Sequence, residues 1–249
     1  MTLLLAACFL PLFPFSVVFN ALFRVIRHSM LRTVVLLAWP QIGVAALASM
    51  ATPIPPWIAL LALATSILYG FRALVLRELG MWTSFLATSS WALLWIPASH
   101  GAATPALQLY ALGFSVPLVL LAWLTAALER RFGAAYAGVH GGLAQVVPRL
   151  SGVLVFVVLA VIATPVFPAF FTMLSTIVMS VPTAPAVAAG VVGSWLIWSW
   201  AGARLLQGVI VGPGREGEVR DLSLGVTWMY ALVLAVLVVA GLGWMEGVR

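Results

Sequence analysis

The sequence predicts an all-α polytopic transmembrane bundle of about eight to nine helices, some of them discontinuous at proline. Three observations lead there. Of 249 residues, 64% are hydrophobic and 7% charged, where a soluble domain carries about 25% charged residues. The stretches 33–71, 79–128 and 150–203 contain no Asp, Glu, Lys or Arg, and each exceeds the roughly 20 apolar residues that one spanning helix needs. The basic residues are twelve Arg and no Lys, gathered at the ends of the apolar runs as orientation anchors are, and eleven Trp suit the interfacial belts. A chain of this composition is not a soluble enzyme.

Proline, glycine and charge divide the chain into segments. The first, 3–23, is interrupted by Pro11 and Pro14 and has no positive charge ahead of it, which argues against a cleaved signal peptide. Segment 33–51 follows Arg24, Arg27 and Arg32 and holds Pro40. Segment 57–76 starts after Pro55 and Pro56, and 81–98 starts after Glu78 and Gly80. Segment 106–128 runs from Pro105 to the Glu129–Arg131 cluster. Segments 150–164 and 168–182 follow, the second enclosed by TPVFP (164–168) and VPTAP (181–185), so that a broken helix competes with a plain span there. Segments 186–206 and 224–244 complete the set. The polar stretches 129–149 and 207–223 are too short for a soluble domain, so 1–249 reads as a single transmembrane domain.

If all nine segments cross, Arg24, Arg27, Arg32, Arg72, Arg77, Arg130, Arg131, Arg149 and Arg249 share one face, and Arg204, Arg215 and Arg220 the other. The richer face is then cytoplasmic and the N-terminus outside. A multi-pass protein of the bacterial inner membrane is the expected setting, with the lipid bilayer as solvent.

Polar groups at membrane depth are functional candidates by default. Gln41, Arg72 and Glu78 form the candidate polar path. Gln41 follows Pro40 in mid-segment, where the plain alternative is a bond to a neighbouring carbonyl freed by the proline. For Arg72 the plain alternative is a side chain reaching the interface. Gln108 and Tyr110 open the fifth segment. His28, His100 and His140 lie far apart without a ligand-type neighbour at i+3 or i+4, so no metal site is expected. Asp221 is the sole Asp and sits in a loop, which excludes a Ser–His–Asp set. Glycines 138, 141 and 142 lack the preceding strand and following Lys of a phosphate loop. No cofactor motif occurs, and no basic patch with interleaved aromatics points to nucleic acid. Cys8 stands alone in an apolar run, so no disulfide framework exists.

Read in order, five landmarks form a set: PLFPF (11–15), ATSILYGFRALVLREL (64–79) with SFLATSS (84–90), LGFSVPLVLLAWLTAALERRF (112–132), GGLAQVVPRLSGVLVFVVLAVIATPVFPAFFTML (141–174) and WLIWSWAGARLLQGVIVGPGREGEVRDLS (195–223). The set resembles the later two-thirds of the antiporter-like membrane subunits of respiratory complex I. That family extends to Mrp-type cation/proton antiporters, membrane-bound hydrogenases and the membrane partner in DabB-type inorganic-carbon transport. The resemblance implies a helical subunit of a multi-subunit membrane complex, with other membrane subunits as partners and the redox chemistry held elsewhere.

It also implies where ionisable residues are missing. The family moves protons along buried Lys, His and Glu. Carried over by position, one Lys falls at Pro40 or Gln41, another at Gly80, the His at Leu112 or Gly113 and a Glu at Met173, while an acidic neighbour survives as Glu78. Arg does not substitute for Lys in a relay, because it keeps its proton at any accessible pH. The expectation is a non-pumping structural subunit. The alternative is an active cation/proton or inorganic-carbon transporter subunit that works with a partner, and a third is a fragment of a longer subunit encoded upstream.

Overall fold

The computed structural model describes residues 2–50, 53–138, 142–212 and 219–247. His140, Arg215, Glu216, Glu218, Arg249 and the Glu246 side chain lie outside the described residues. The described chain is helical without a strand: α1 (Thr2–Phe9), α2 (Ser16–Val25), α3 (Ser29–Ala48), α4 (Pro56–Ala73), α5 (Leu79–Ala92), α6 (Trp95–Ser99), α7 (Thr104–Phe132), α8 (Leu143–Val146), α9 (Pro148–Val161), α10 (Pro168–Ser180), α11 (Pro185–Ile210) and α12 (Leu224–Gly247). Five of these, α3, α4, α7, α11 and α12, are long and apolar enough to cross a membrane.

Proline sets many of the starts. It stands at the first or second position of α4, α7, α9, α10 and α11, where its missing N–H has no helical partner to lose and its fixed φ suits the first turn. Helix α7 stops at Gly133, whose φ of 80° is left-handed and whose N–H bonds the Glu129 carbonyl, a helix end that glycine adopts without steric cost.

The helices run between two ends of the bundle. Contacts fix the two ends. At one, the Leu79 N–H bonds the Ala135 carbonyl, Ala137 N–H the Arg77 carbonyl and Gly138 N–H the Gly208 carbonyl. Arg131 Nε donates to the Arg220 carbonyl at 2.9 Å. The Asp221 carboxylate accepts from Arg149 N–H at 2.8 Å and Leu150 N–H at 3.1 Å. At the other end, His100 Nε2 and Thr183 Oγ1 are 3.0 Å apart.

This corrects the expected division of arginines between two faces. Arg220 sits beside Arg131 and Arg149, and Arg204 lines one groove with Arg77. The segments 150–164 and 168–182 correspond to α9 and α10, of 14 and 13 residues, which lead in succession from the Arg149–Asp221 end to the His100–Thr183 end. Arg204 and Arg220, after the break, therefore lie at the same end as Arg77 and Arg131.

Two passages are interrupted by backbone that leaves the helix, at 10–15 and 162–167. A carbonyl released at membrane depth must find a donor within the protein, and indole N–H groups supply it. Trp39 Nε1 donates to the Cys8 carbonyl at 3.2 Å and Trp95 Nε1 to the Leu10 carbonyl at 2.9 Å. Trp195 Nε1 donates to the Ala163 carbonyl at 3.1 Å. Each break is also approached by a glycine of another helix. A Cβ on Gly43 of α3 would lie 2.9 Å from the Leu10 nitrogen, and one on Gly241 of α12 would meet the Val166 carbonyl.

Candidate functional site

Many of the buried polar groups gather along a seam centred on α5, while a second set, Thr172, Ser175, Thr176 and Ser180, lies on α10. The α5 sequence TSFLATSS (83–90) places five Ser and Thr in eight residues, and all five are buried. The helix carries them because a Ser or Thr hydroxyl can bond a carbonyl three or four residues back and so needs no outside partner. Thr83 bonds the Leu79 carbonyl at 2.7 Å, Thr88 the Ser84 carbonyl at 3.0 Å and Ser90 the Ala87 carbonyl at 3.1 Å.

Neighbouring helices join this seam. Asn20 of α2 donates from Nδ2 to Thr88 Oγ1 at 3.0 Å and to the Ser16 carbonyl at 2.8 Å. Ser16 Oγ meets the Tyr69 hydroxyl of α4 at 2.9 Å. Ser66 Oγ and Ser89 Oγ are 3.0 Å apart, and Trp198 Nε1 of α11 donates to Ser89 Oγ at 2.8 Å. Trp91 Nε1 reaches Ser115 Oγ of α7 at 3.1 Å. The seam thus ties α2, α4, α5, α7 and α11 together through neutral groups.

At the arginine-rich end the seam meets a charge cluster. Arg32 of α3 is 7% exposed. Its Nε donates to the Ile26 carbonyl at 2.8 Å, its guanidinium lies 5.4 Å from the Phe23 ring centroid, and Nη1 is 3.9 Å from Glu129 Oε1. Glu78 belongs to the same neighbourhood. A Cβ placed on Gly80 would lie 3.6 Å from Glu78 Oε1 and 3.9 Å from both terminal nitrogens of Arg32. Gly80 is where the resemblance puts a lysine, and the cation beside it comes from another helix.

The three candidate path residues occupy separate surroundings. Gln41 Nε2 donates to the Gln108 carbonyl of α7 at 3.0 Å, so its partner is on another helix and is not the carbonyl freed by Pro40. Arg72 is exposed at the end of α4, its guanidinium 5.0 Å from the Phe85 ring centroid and 5.8 Å from that of Tyr69. Glu78 precedes α5 beside Arg32. Of the positions where ionisable residues are missing, Pro40 is buried within α3, Met173 is 1% exposed in α10 and Leu112 is 38% exposed on α7. Gly113 packs its Cα side against Pro168 at the second break.

Sequence reasoning missed Arg32 and the hydroxyl seam. Arg32 flanks an uncharged stretch as an anchor does, yet it stands on the buried stripe Arg32, Leu36, Pro40, Val44 and Leu47 of α3, a spacing of three to four that the sequence displays. The seam was signalled by the Ser/Thr density of 83–90.

The architecture defines a class: a polytopic helical bundle with two indole-capped breaks and a neutral buried polar seam. No protein-family model matches the chain, and no curated protein matches it by sequence. Solved structures match its fold. A chain of respiratory complex I from Thermus thermophilus superposes with a TM-score of 0.82 at 22% identity, covering 95% of this chain and 52% of that one. A chain of the membrane-bound sulfane sulfur reductase, an archaeal respiratory membrane complex, gives 0.81 at 15% identity over 97% and 51%. A chain of the Mrp complex from Dietzia sp. DQ12-45-1b gives 0.78 at 15% identity over 97% and 55%. The chain shares the fold of these chains of membrane complexes and spans about half the length of each.

Proposed function

We propose that this chain is a non-pumping structural subunit of a multi-subunit membrane complex. One observation carries the reading. Among the described residues, the buried polar side chains are hydroxyls, the Asn20 amide and Arg32. Hydroxyls and amides hold no charge near neutral pH, and arginine does not release its proton. A bare charge at mid-bilayer costs at least about 2.5 kcal/mol, so a proton relay needs titrating groups along the whole seam. The separate surroundings of Gln41, Arg72 and Glu78 favour this reading over a transporting one.

In this account the bundle crosses a bacterial inner membrane eight times. The arginine-rich end faces the cytoplasm, and both ends of the described chain lie outside. The matched folds belong to chains of multi-subunit membrane assemblies, which supports other membrane subunits as partners. The test is extraction of the tagged chain from its native membrane in mild detergent, followed by native mass spectrometry. Co-purification of defined membrane proteins at fixed stoichiometry is expected; a monomer without membrane partners contradicts the proposal.

A further inference from the structure

A groove of about 240 Å³ opens between α2, α4 and α5, lined by Val17, Asn20, Arg24, Tyr69, Arg72 and Phe85 among others. It lies at the arginine-rich end, one turn from the termini of α2 and α4. Three features of this groove go beyond a subunit scaffold.

The first is charge. Arg24 and Arg72 are both exposed and line the same small space. The ion pair found among the described residues is that of Arg32 with Glu129, so neither groove arginine has a carboxylate partner among them. Two guanidinium groups at one site raise the local potential and favour an anion. The second is preorganisation. The Phe85 and Tyr69 rings lie 5.0 and 5.8 Å from the Arg72 guanidinium, and a guanidinium held against ring faces keeps its in-plane N–H donors for a planar or tetrahedral oxyanion.

The third is an unmet acceptor. Asn20 is 7% exposed and lines the groove, and its Oδ1 has no hydrogen-bond partner. The amide cannot be turned over to cure this. Its Nδ2 donates to the Ser16 carbonyl, which only accepts, so an inverted amide would set oxygen against oxygen. A buried acceptor without a donor is costly; the Asn20 oxygen stands behind the groove wall, so a ligand donor reaches it by displacing the side chains that cover it.

We propose that this groove binds a phosphate that carries a free hydroxyl. The oxyanion sits between Arg24 and Arg72, and the hydroxyl serves the Asn20 oxygen. Two sources provide that chemistry: the phosphoglycerol headgroup of an anionic phospholipid, or soluble hydrogen phosphate. Basic pockets between membrane helices are sites where anionic headgroups bind.

The test is thermal unfolding of the full chain in mild detergent, with phosphatidylglycerol or phosphatidylcholine at equal mole fraction, and separately with inorganic phosphate. The variants are Arg24→Gln, Arg72→Gln and Ala21→Trp, the last filling the groove from an exposed position of α2. Arg204→Gln, an exposed arginine in a different groove, controls for bulk charge. Phosphatidylglycerol is expected to raise the unfolding temperature where phosphatidylcholine does not. The effect should survive Arg204→Gln, vanish in Ala21→Trp and weaken roughly tenfold or more in apparent affinity for each groove arginine. A shift from inorganic phosphate with the same variant pattern assigns the site to the soluble ion. Equal shifts with both lipids, no shift from any probe, or shifts that persist in all three variants overturn the proposal.

Discussion

The indole N–H of Trp195 donates to the carbonyl of Ala163 at 3.1 Å, across the break that divides α9 from α10. Ala163 has a φ of 57° and Val166 one of 88°, a left-handed backbone that non-glycine residues seldom adopt. Such a turn persists only where its surroundings fix it, and Trp195, Gly113 and Gly241 are those surroundings. Trp195→Phe keeps most of the ring and removes the donor. It is expected to cost about 1–3 kcal/mol, the range for leaving a buried carbonyl unpaired. Trp200→Phe, on the same helix but 61% exposed, is expected to change stability by less than about 0.5 kcal/mol. Thermal unfolding of both variants in detergent checks the contrast.

The glycines that face the two breaks make a second contrast. A methyl on Gly43 would meet the backbone of α1 at 2.9 Å, whereas one on Gly152 of α9 meets nothing within 4 Å. Gly43→Ala is expected to destabilise by about 1–3 kcal/mol through overpacking. Gly152→Ala is expected to gain about 0.5–1 kcal/mol from reduced chain entropy. Equal effects at the two positions would remove close approach from the account of the first break.

Arg32→Met removes the donor to the Ile26 carbonyl and leaves Glu129 without its cation. A sealed pair would lose more, but Glu129 is 38% exposed and water can solvate it. The expected loss is about 1–3 kcal/mol. Arg24→Gln, exposed at the end of α2, should be near neutral in the same assay without added lipid. A null result for Arg32→Met would return Arg32 to the status of a surface anchor.

Asp221 fastens the loop before α12 to the first turn of α9 by accepting from Arg149 N–H and Leu150 N–H. An anion at a helix N-terminus satisfies otherwise unpaired donors and opposes the positive end of the dipole. Asp221→Ala is expected to cost about 0.5–2 kcal/mol, seen as faster hydrogen exchange confined to the first turn of α9. Unchanged exchange there would contradict the tether.

Much of this fold was legible in the sequence because apolar length and proline position are local signals. The ends of α3, α4, α7, α11 and α12 follow from charge and proline within a few residues. The TPVFP and VPTAP punctuation marked α10 as a possible half-helix. Whether it crossed alone depended on a tertiary fact, the return of the 220–222 loop to Arg131 and Arg149, and no local pattern carries that. The site was less legible. Gln41, Arg72 and Glu78 were singled out for polarity at membrane depth, but which of them meet depends on how α3, α4 and α5 are rotated against one another. Trp residues read as interfacial anchors include three whose N–H groups serve broken backbone, since an indole shows the same sequence signal at the membrane surface and in the core.

The central claim is that the buried polar seam, built of hydroxyls, indole N–H groups and one amide and meeting Arg32 at one end, does not relay protons. Reconstitution of the purified chain in liposomes with an internal pH dye, under an imposed potential, measures this most directly. The account predicts acidification no faster than in protein-free liposomes. A potential-driven proton current that falls in Glu78→Gln, Arg32→Gln or Ser89→Ala would contradict it.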